Sequence, residues 1–173
     1  MAYVIFDTET TGLHPEHGDR IIEIAALRVM NGVVTNDVFN SFINPHRLIP
    51  TDAKKIHGIA NEQLEKAPEA AEVIPKFLQF IGSDILVAHN ASFDMAFLKE
   101  EMKRLGLDSE KIPTHRCTLI QVQKEMPELK SHTLAAMTEH FGISVDRRHR
   151  ALDDVKALAQ VFLKIHQEEP TLF

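Results

Sequence analysis

The chain of 173 residues has one cysteine, Cys117. A disulfide within the chain is therefore excluded, and so is a zinc site built on several cysteines. Long apolar runs are missing, and nothing approaches the length of a membrane span. The opening Met-Ala-Tyr-Val-Ile-Phe reaches Asp7 with no basic region before it, so it is not read as a signal peptide, and a cytoplasmic protein is expected. Repeats, low-complexity tracts and Gly/Ser/Pro-rich linkers are also missing, which leaves a single domain over residues 1–173. There is no basic excess. The net charge of −6 argues against a generic nucleic-acid coat protein. It does not argue against a protein whose acidic residues hold divalent cations, because the cations then supply the attraction that lysines supply elsewhere. What is present is the balance of a globular domain, 44% hydrophobic and 25% charged residues, in a chain long enough to bury a core.

Residues 3–9 and 20–30 read as strands, and Asn31-Gly32 is a hairpin signal that returns the chain as a third strand over 34–43, stopped by Asn44-Pro45. Short helices are expected over 52–58 and 61–66, and a longer one over 69–81, with Pro75 blurring its start. The apolar run 84–89 is a buried strand. A helix from Ser92 to Leu105 follows, ended by Gly106. Helices are also expected over 117–125 and 132–141, the second capped by Ser131 and ended by Gly142, and from Ala151 to Gln167. Consecutive strands followed by strands mixed with helices predict an α/β fold, a mixed sheet covered by helices.

Three places carry chemistry. Asp7 and Glu9 lie two apart on a strand, so both carboxylates face one way near its C-terminal end. Such a pair repels itself unless a hard cation compensates; a D-x-E alone is more often a strand that ends in polar residues. Asp94 shares the helical stripe of Leu98, Met102 and Leu105, so it should face inward from the first turn of its helix. The helix dipole explains a carboxylate in that turn, but not its inward direction. In the last helix, Ala151, Val155, Leu158, Ala159 and Phe162 define the buried face. Asp154 falls near the border of that face, and Asp153 falls almost opposite it as a solvated neighbour. His149 is expected in the loop just before, free to hang over a site and suited to taking a proton from water. Read alone, Arg147-Arg148-His149-Arg150 is a basic surface cluster.

The order D-x-E, then D, then H-x₄-D resembles the DEDD exonucleases of the branch whose last motif uses histidine, and within it the proofreading exonucleases of bacterial DNA polymerase III. The matching segments are FDTETTGL at 6–13, KIHGI at 55–59, LVAHNASFDMAFL at 86–98 and HRALDDVKAL at 149–158, and the resemblance covers almost the whole chain. It implies a ribonuclease H-like fold with a mixed five-stranded sheet and helices on both sides. It implies two divalent cations, Mg²⁺ or Mn²⁺, on Asp7, Glu9, Asp94 and Asp154, with His149 as general base. The activity implied is release of nucleoside 5′-monophosphates from single-stranded or frayed DNA 3′ ends, with RNA as a possible substrate. Thr10, Thr11 and Gly12 would let the backbone approach the terminal nucleotide. Leu13, Ile56 and His57 would pack around the last bases, with Asn90 and Phe93 lining the pocket. From the residues alone, Leu13, Ile56 and Phe93 read as ordinary core. The polymerase subunit continues into a tail that binds the polymerase, whereas this chain stops at Pro170-Thr171-Leu172-Phe173, so the resemblance leaves polymerase association open. A 3′ exoribonuclease of the same family and a non-catalytic module that binds nucleic-acid ends or a polymerase are the alternatives.

Overall fold

The first strand, β1 (Ala2–Thr10), is apolar on both faces because both are covered. Val4 and Phe6 point into one layer and Ile5 into the other. In the computed structural model, which describes residues 2–168, β1 pairs antiparallel with β2 (Ile21–Met30), and β2 pairs antiparallel with β3 (Val33–Phe42). Asn31 and Gly32 join β2 to β3 with φ of 52° and 77°, the two positive values that a tight hairpin turn of this twist requires. On its other side β1 pairs parallel with β4 (Ile85–Ala88), which pairs parallel with β5 (His115–Cys117). The sheet order is β3-β2-β1-β4-β5, a mixed five-stranded sheet.

Helices cover both faces. On one side α3 (Ala70–Ile81) and α4 (Ala91–Arg104) bury Ile74, Phe77, Leu98 and Met102 against Val4, Phe6 and Leu86. On the other, α7 (Ala151–Glu168) lays Val155, Leu158 and Phe162 on Ile5, Leu27 and Val87. Outside α7 sit α5 (Thr118–Glu125) and α6 (Leu134–His140), packed through Val122, Met137, Val161 and Ile165. Two short helices, α1 (Thr51–His57) and α2 (Asn61–Leu64), close the β2–β3 side over Ile22, Ile49 and Ile59. Buried Glu101 accepts the Arg20 guanidinium at 2.6 and 2.9 Å, which fixes α4 to the start of β2.

Several expectations need correction. Residues 115–117 are a strand, so the segment expected as helix from 117 begins its helix only at Thr118. This short, largely exposed strand with His115 and Arg116 has no alternation to read. Helix α6 starts at Leu134, and its cap is Thr133, whose side chain accepts the Ala136 N–H at 3.2 Å. Ser131 is two residues too early and meets the Thr133 hydroxyl instead, at 3.3 Å. Helix α3 runs through Pro75. Two short 3₁₀ turns, Pro15–His17 and Ser109–Lys111, had no counterpart in the sequence reading. The terminal Pro170-Thr171-Leu172-Phe173 lies outside the described residues.

Candidate active site

The site grows from the C-terminal end of β1. Asp7 and Glu9 share parity with Ile5 and so lie on the α7 face. Just past Glu9 the β1–β2 register shifts, a bulge that turns the chain out of the sheet. Thr8 faces the other layer and meets Asp94 from the first turn of α4. Its N–H and its hydroxyl both donate to Asp94 Oδ1, at 3.0 and 2.7 Å. Asp94 is 3% exposed, and Leu98 and Met102 of its stripe are buried beneath it.

Helix α7 brings the rest. Arg150 supplies the carbonyl that accepts the Asp153 and Asp154 N–H groups, so α7 starts there. His149 precedes it with φ of 58°, a left-handed conformation uncommon for a residue with a side chain. Its N–H donates to Asp154 Oδ2 at 2.8 Å. The side-chain ligand atoms of Glu9, His149 and Asp154 lie within 4.8 Å of one another. Asp153 differs from its expected place. It is not a solvated neighbour: its side chain is 14% exposed and is paired with Arg147 and Lys156, each at 3.7 Å. The chain before α7 folds back over it, which a helical wheel cannot anticipate.

The electrostatics are those of uncompensated carboxylates. Burial, then Asp94, Glu9, Asp154 and Glu23, hold Asp7 well above the ordinary carboxylate range. Glu9 is pushed up to about 8 by burial first and then by Asp154, Glu23 and Asp94, with Arg150 opposing. Burial pushes Asp94 up to about 7 against the Thr8 hydrogen bonds, which favour its charged form. Burial also raises Asp154, against the His149 N–H. Oxygen donors converging in low dielectric with this much mutual repulsion suit a hard divalent cation, which removes the repulsion and takes the place of protons. The residues present therefore fit the implied metal.

Beside the carboxylates lies a cavity of about 440 Å³ lined by Thr8–Leu13, Ile56, His57 and Phe93 among others. Leu13 and Ile56 are 69% and 58% exposed, so they are not core. His57 is buried, and its Nδ1 accepts the Ile59 N–H at 3.0 Å. Its proton therefore sits on Nε2, which is buried beside the Thr10 backbone. Burial lowers the His57 pKa, while Glu23 and the Thr10 backbone act in the opposite direction, so the ring is neutral. Thr10 and Thr11 line the cavity with committed hydroxyls: Thr10 Oγ1 donates to the Gly12 carbonyl at 2.6 Å, and Thr11 Oγ1 donates to Asp19 at 3.2 Å. Gly12 is required by Asp19, because a Cβ there would stand 2.2 Å from Asp19 Oδ2. Asn90 stands apart from this cavity. It borders a neighbouring one with Leu13 and Phe93, takes φ of 64°, and accepts from the Ser92 hydroxyl at 3.2 Å.

Sequence reasoning passed over Glu23, Arg150 and Asp19. Glu23 had a signal, since it is the one acidic residue in the apolar strand RIIEIAALRVM. Arg150 was hidden in its basic run, and nothing marks Asp19.

A family model described as "Exonuclease" matches residues 4–162. Among curated proteins the chain is 42% identical over 164 residues to the DNA polymerase III PolC-type of Bacillus subtilis, covering 94% of this chain and 11% of that protein. It is 39% identical over 168 residues to a DNA polymerase III subunit epsilon-like protein of Rhodobacter capsulatus, covering 95% of this chain and 24% of that one. The chain thus spans only a minor part of those relatives. Exonuclease X, solved in complex with 5′ overhanging duplex DNA, superposes with a TM-score of 0.78 at 29% identity over 98% of this chain and 93% of that one. E. coli Exonuclease I, solved with a dA16 oligonucleotide, shares the fold with a TM-score of 0.87 at 20% identity, over 98% of this chain and 41% of its own. The ribonuclease H-like sheet, its two helical layers and the match along residues 4–162 place this chain in the exonuclease family.

Proposed function

We propose that this exonuclease works 3′→5′, with divalent cations, and releases nucleoside 5′-monophosphates from single-stranded or mismatched DNA ends. The observation that carries the reading is the gathering of Glu9, His149 and Asp154 within ligand distance, with Asp94 buried and Asp7 half-buried alongside, next to an open apolar cavity. Asp7, Glu9, Asp94 and Asp154 would hold the cations, which when bound would supply charge to the phosphoryl oxygens and lower the pKa of water. His149, exposed at the rim, accepts the proton of the attacking water at its imidazole and passes it to solvent. The His149 N–H holds the Asp154 carboxylate in one orientation, and Thr8 does the same for Asp94. Leu13, Ile56 and Phe93 offer sequence-tolerant packing to unstacked terminal bases. A frayed end has already met the few kcal/mol that unpairing costs, which favours mismatched over paired ends without base-specific contacts.

The experiment is a side-by-side rate measurement on end-labelled DNA and RNA oligonucleotides, single-stranded, paired and 3′-mismatched, with Mg²⁺ or with chelator. Single-stranded and mismatched DNA should be shortened fastest from the 3′ end, and chelator should abolish cleavage. Turnover in chelator, with carried-over metal excluded, would sink the metal-dependent reading. Faster cleavage of RNA would make the protein a 3′ exoribonuclease.

A further inference from the structure

Glu23 of β2 stands opposite Glu9 in the β1–β2 ladder and is 1% exposed. A fifth carboxylate at this spot adds repulsion to a site already crowded with negative charge. Unlike the other four, it has both oxygens engaged. Oε1 accepts Arg150 Nη2 at 3.0 Å, and Oε2 accepts Arg150 Nε at 3.1 Å and the Ala151 N–H at 3.3 Å. The Arg150 guanidinium also lies over the Phe42 ring, 5.3 Å from its centroid. Its side chain is thus held by β2 through Glu23 and by β3 through Phe42.

The backbone of Arg150 is where α7 begins, with its carbonyl accepting the Asp153 and Asp154 N–H groups. His149 lies on one side of it in a left-handed conformation, and Asp154 lies on the other. We propose that Glu23 and Arg150 form a positioning pair that registers the start of α7 against the sheet and so holds His149 and Asp154 over the β1 carboxylates. This rests on the reading that His149 and Asp154 perform the chemistry. A buried ion pair is a weak source of stability, because desolvation offsets the attraction. A two-pronged guanidinium–carboxylate contact fixes direction as well as distance, which a lysine cannot reproduce. Both Glu23 oxygens are committed to Arg150 and the Ala151 N–H. The effect of the pair passes through the placement of His149, where a shift of about 1 Å can cost on the order of 100-fold in rate.

The test uses the whole chain with Glu23→Gln, Arg150→Gln, Arg150→Lys and the Glu23→Gln/Arg150→Gln double variant. Three quantities are read: amide hydrogen exchange at His149 and Ala151, Mn²⁺ affinity by calorimetry, and kcat and KM on a single-stranded oligonucleotide. In the single Gln variants, exchange at the two amides should accelerate and Mn²⁺ affinity should fall, because Asp154 is one of the residues the pair places. Their kcat should fall about 10–100-fold with KM little changed, as for residues that orient others. Arg150→Lys should not restore the wild-type rate. The double variant should be no worse than the poorer single one, because the two act as one unit. Glu23→Gln keeps the side-chain volume and decides the matter if Arg150→Gln does not fold. Unchanged exchange at both amides would overturn the proposal, and so would a raised KM with kcat intact, which would make Arg150 a substrate contact. If the wild-type protein cleaved nothing, the exonuclease reading would fail, and the exchange measurement would still decide for or against the pair.

Discussion

Adjacent aspartates in α7 show how finely the site depends on single side chains. Asp154 turns toward Glu9 and is bound by the His149 N–H, whereas Asp153 turns toward Arg147 and Lys156. Asp154→Asn should be almost inactive, because on the proposed reading it removes a ligand charge from a shared oxygen cage. Asp153→Asn loses two long ion pairs to exposed partners, worth about 0–1 kcal/mol of stability together. Its activity should persist. Rates and melting temperatures of the two variants, measured together, check this, and the reverse ranking would remove Asp154 from the ligand set. His149→Ala should lower kcat by about 10²–10⁴-fold with little change in KM, the pattern for loss of a general base. A rise in KM alone would reassign His149 to substrate positioning. At this scale the sequence was readable where periodicity applies. The inward turn of Asp94 follows from its stripe with Leu98 and Met102. The shelter over Asp153 was not readable, because it is provided by a loop whose path no helical wheel contains.

Among the elements, the loop after β1 is held by a single side chain. Asp19 organises it, accepting from the Thr11 hydroxyl at 3.2 Å and the His14 N–H at 3.1 Å and pairing with Arg47 at 3.0 Å. A methyl group at position 12 would strike that carboxylate at 2.2 Å, so Gly12→Ala must break these contacts to fit. The loop also forms one wall of the cavity. Gly12→Ala should therefore weaken oligonucleotide binding and raise KM. Its cost in stability should be about 1–3 kcal/mol, the range for overpacking. Calorimetric titration with a single-stranded oligonucleotide and thermal unfolding of the variant check both parts. Near-wild-type binding would show that Asp19 yields without disturbing the wall. The strands β1 and β2 were legible as apolar β-branched runs, β3 from the hairpin signal before it, and the helices α4 and α7 because each repeats an apolar period over several residues. Strand β5 and the two 3₁₀ turns are too short to have a period. The role of Gly12 depends on a residue seven positions away, which composition cannot reveal. The cap of α6 was misread because Ser131 and Thr133 are chemically alike, and only the path of the chain chooses between them.

At the scale of the molecule, the fold gathers Asp7, Glu9, Glu23, Asp94 and Asp154 at one end of the central strands, and of these Glu23 alone is matched by an arginine fork. The other four lower the stability of the metal-free protein whenever they are charged. In the folded state Glu9 titrates at about 8 rather than 4.5, and Asp94 at about 7 rather than 3.8. A carboxylate whose pKa is raised by folding favours the folded state fully below its unfolded value. That contribution is lost as pH rises through the folded one. The metal-free protein should therefore lose melting temperature between about pH 5 and pH 8 from these groups. A cation held by this cluster would bind its deprotonated form, so on the proposed reading Mn²⁺ or Mg²⁺ affinity should rise over the same range, with protons released on binding. Cation at 100 times its dissociation constant stabilises by about 2.7 kcal/mol. For a chain of this size that corresponds to a shift of roughly 5–10 °C. At a fixed cation concentration the shift should be larger at pH 8.5 than at pH 6. Thermal unfolding across pH, with chelator and with Mn²⁺, tests the sign directly, and Asp7→Asn should flatten the dependence by removing one charge from the cluster. A cation-induced shift that is equal at both pH values, or larger at pH 6, would mean that the carboxylates are already charged in the metal-free protein. The electrostatic argument for the cation site would then fail even if the enzyme proved active.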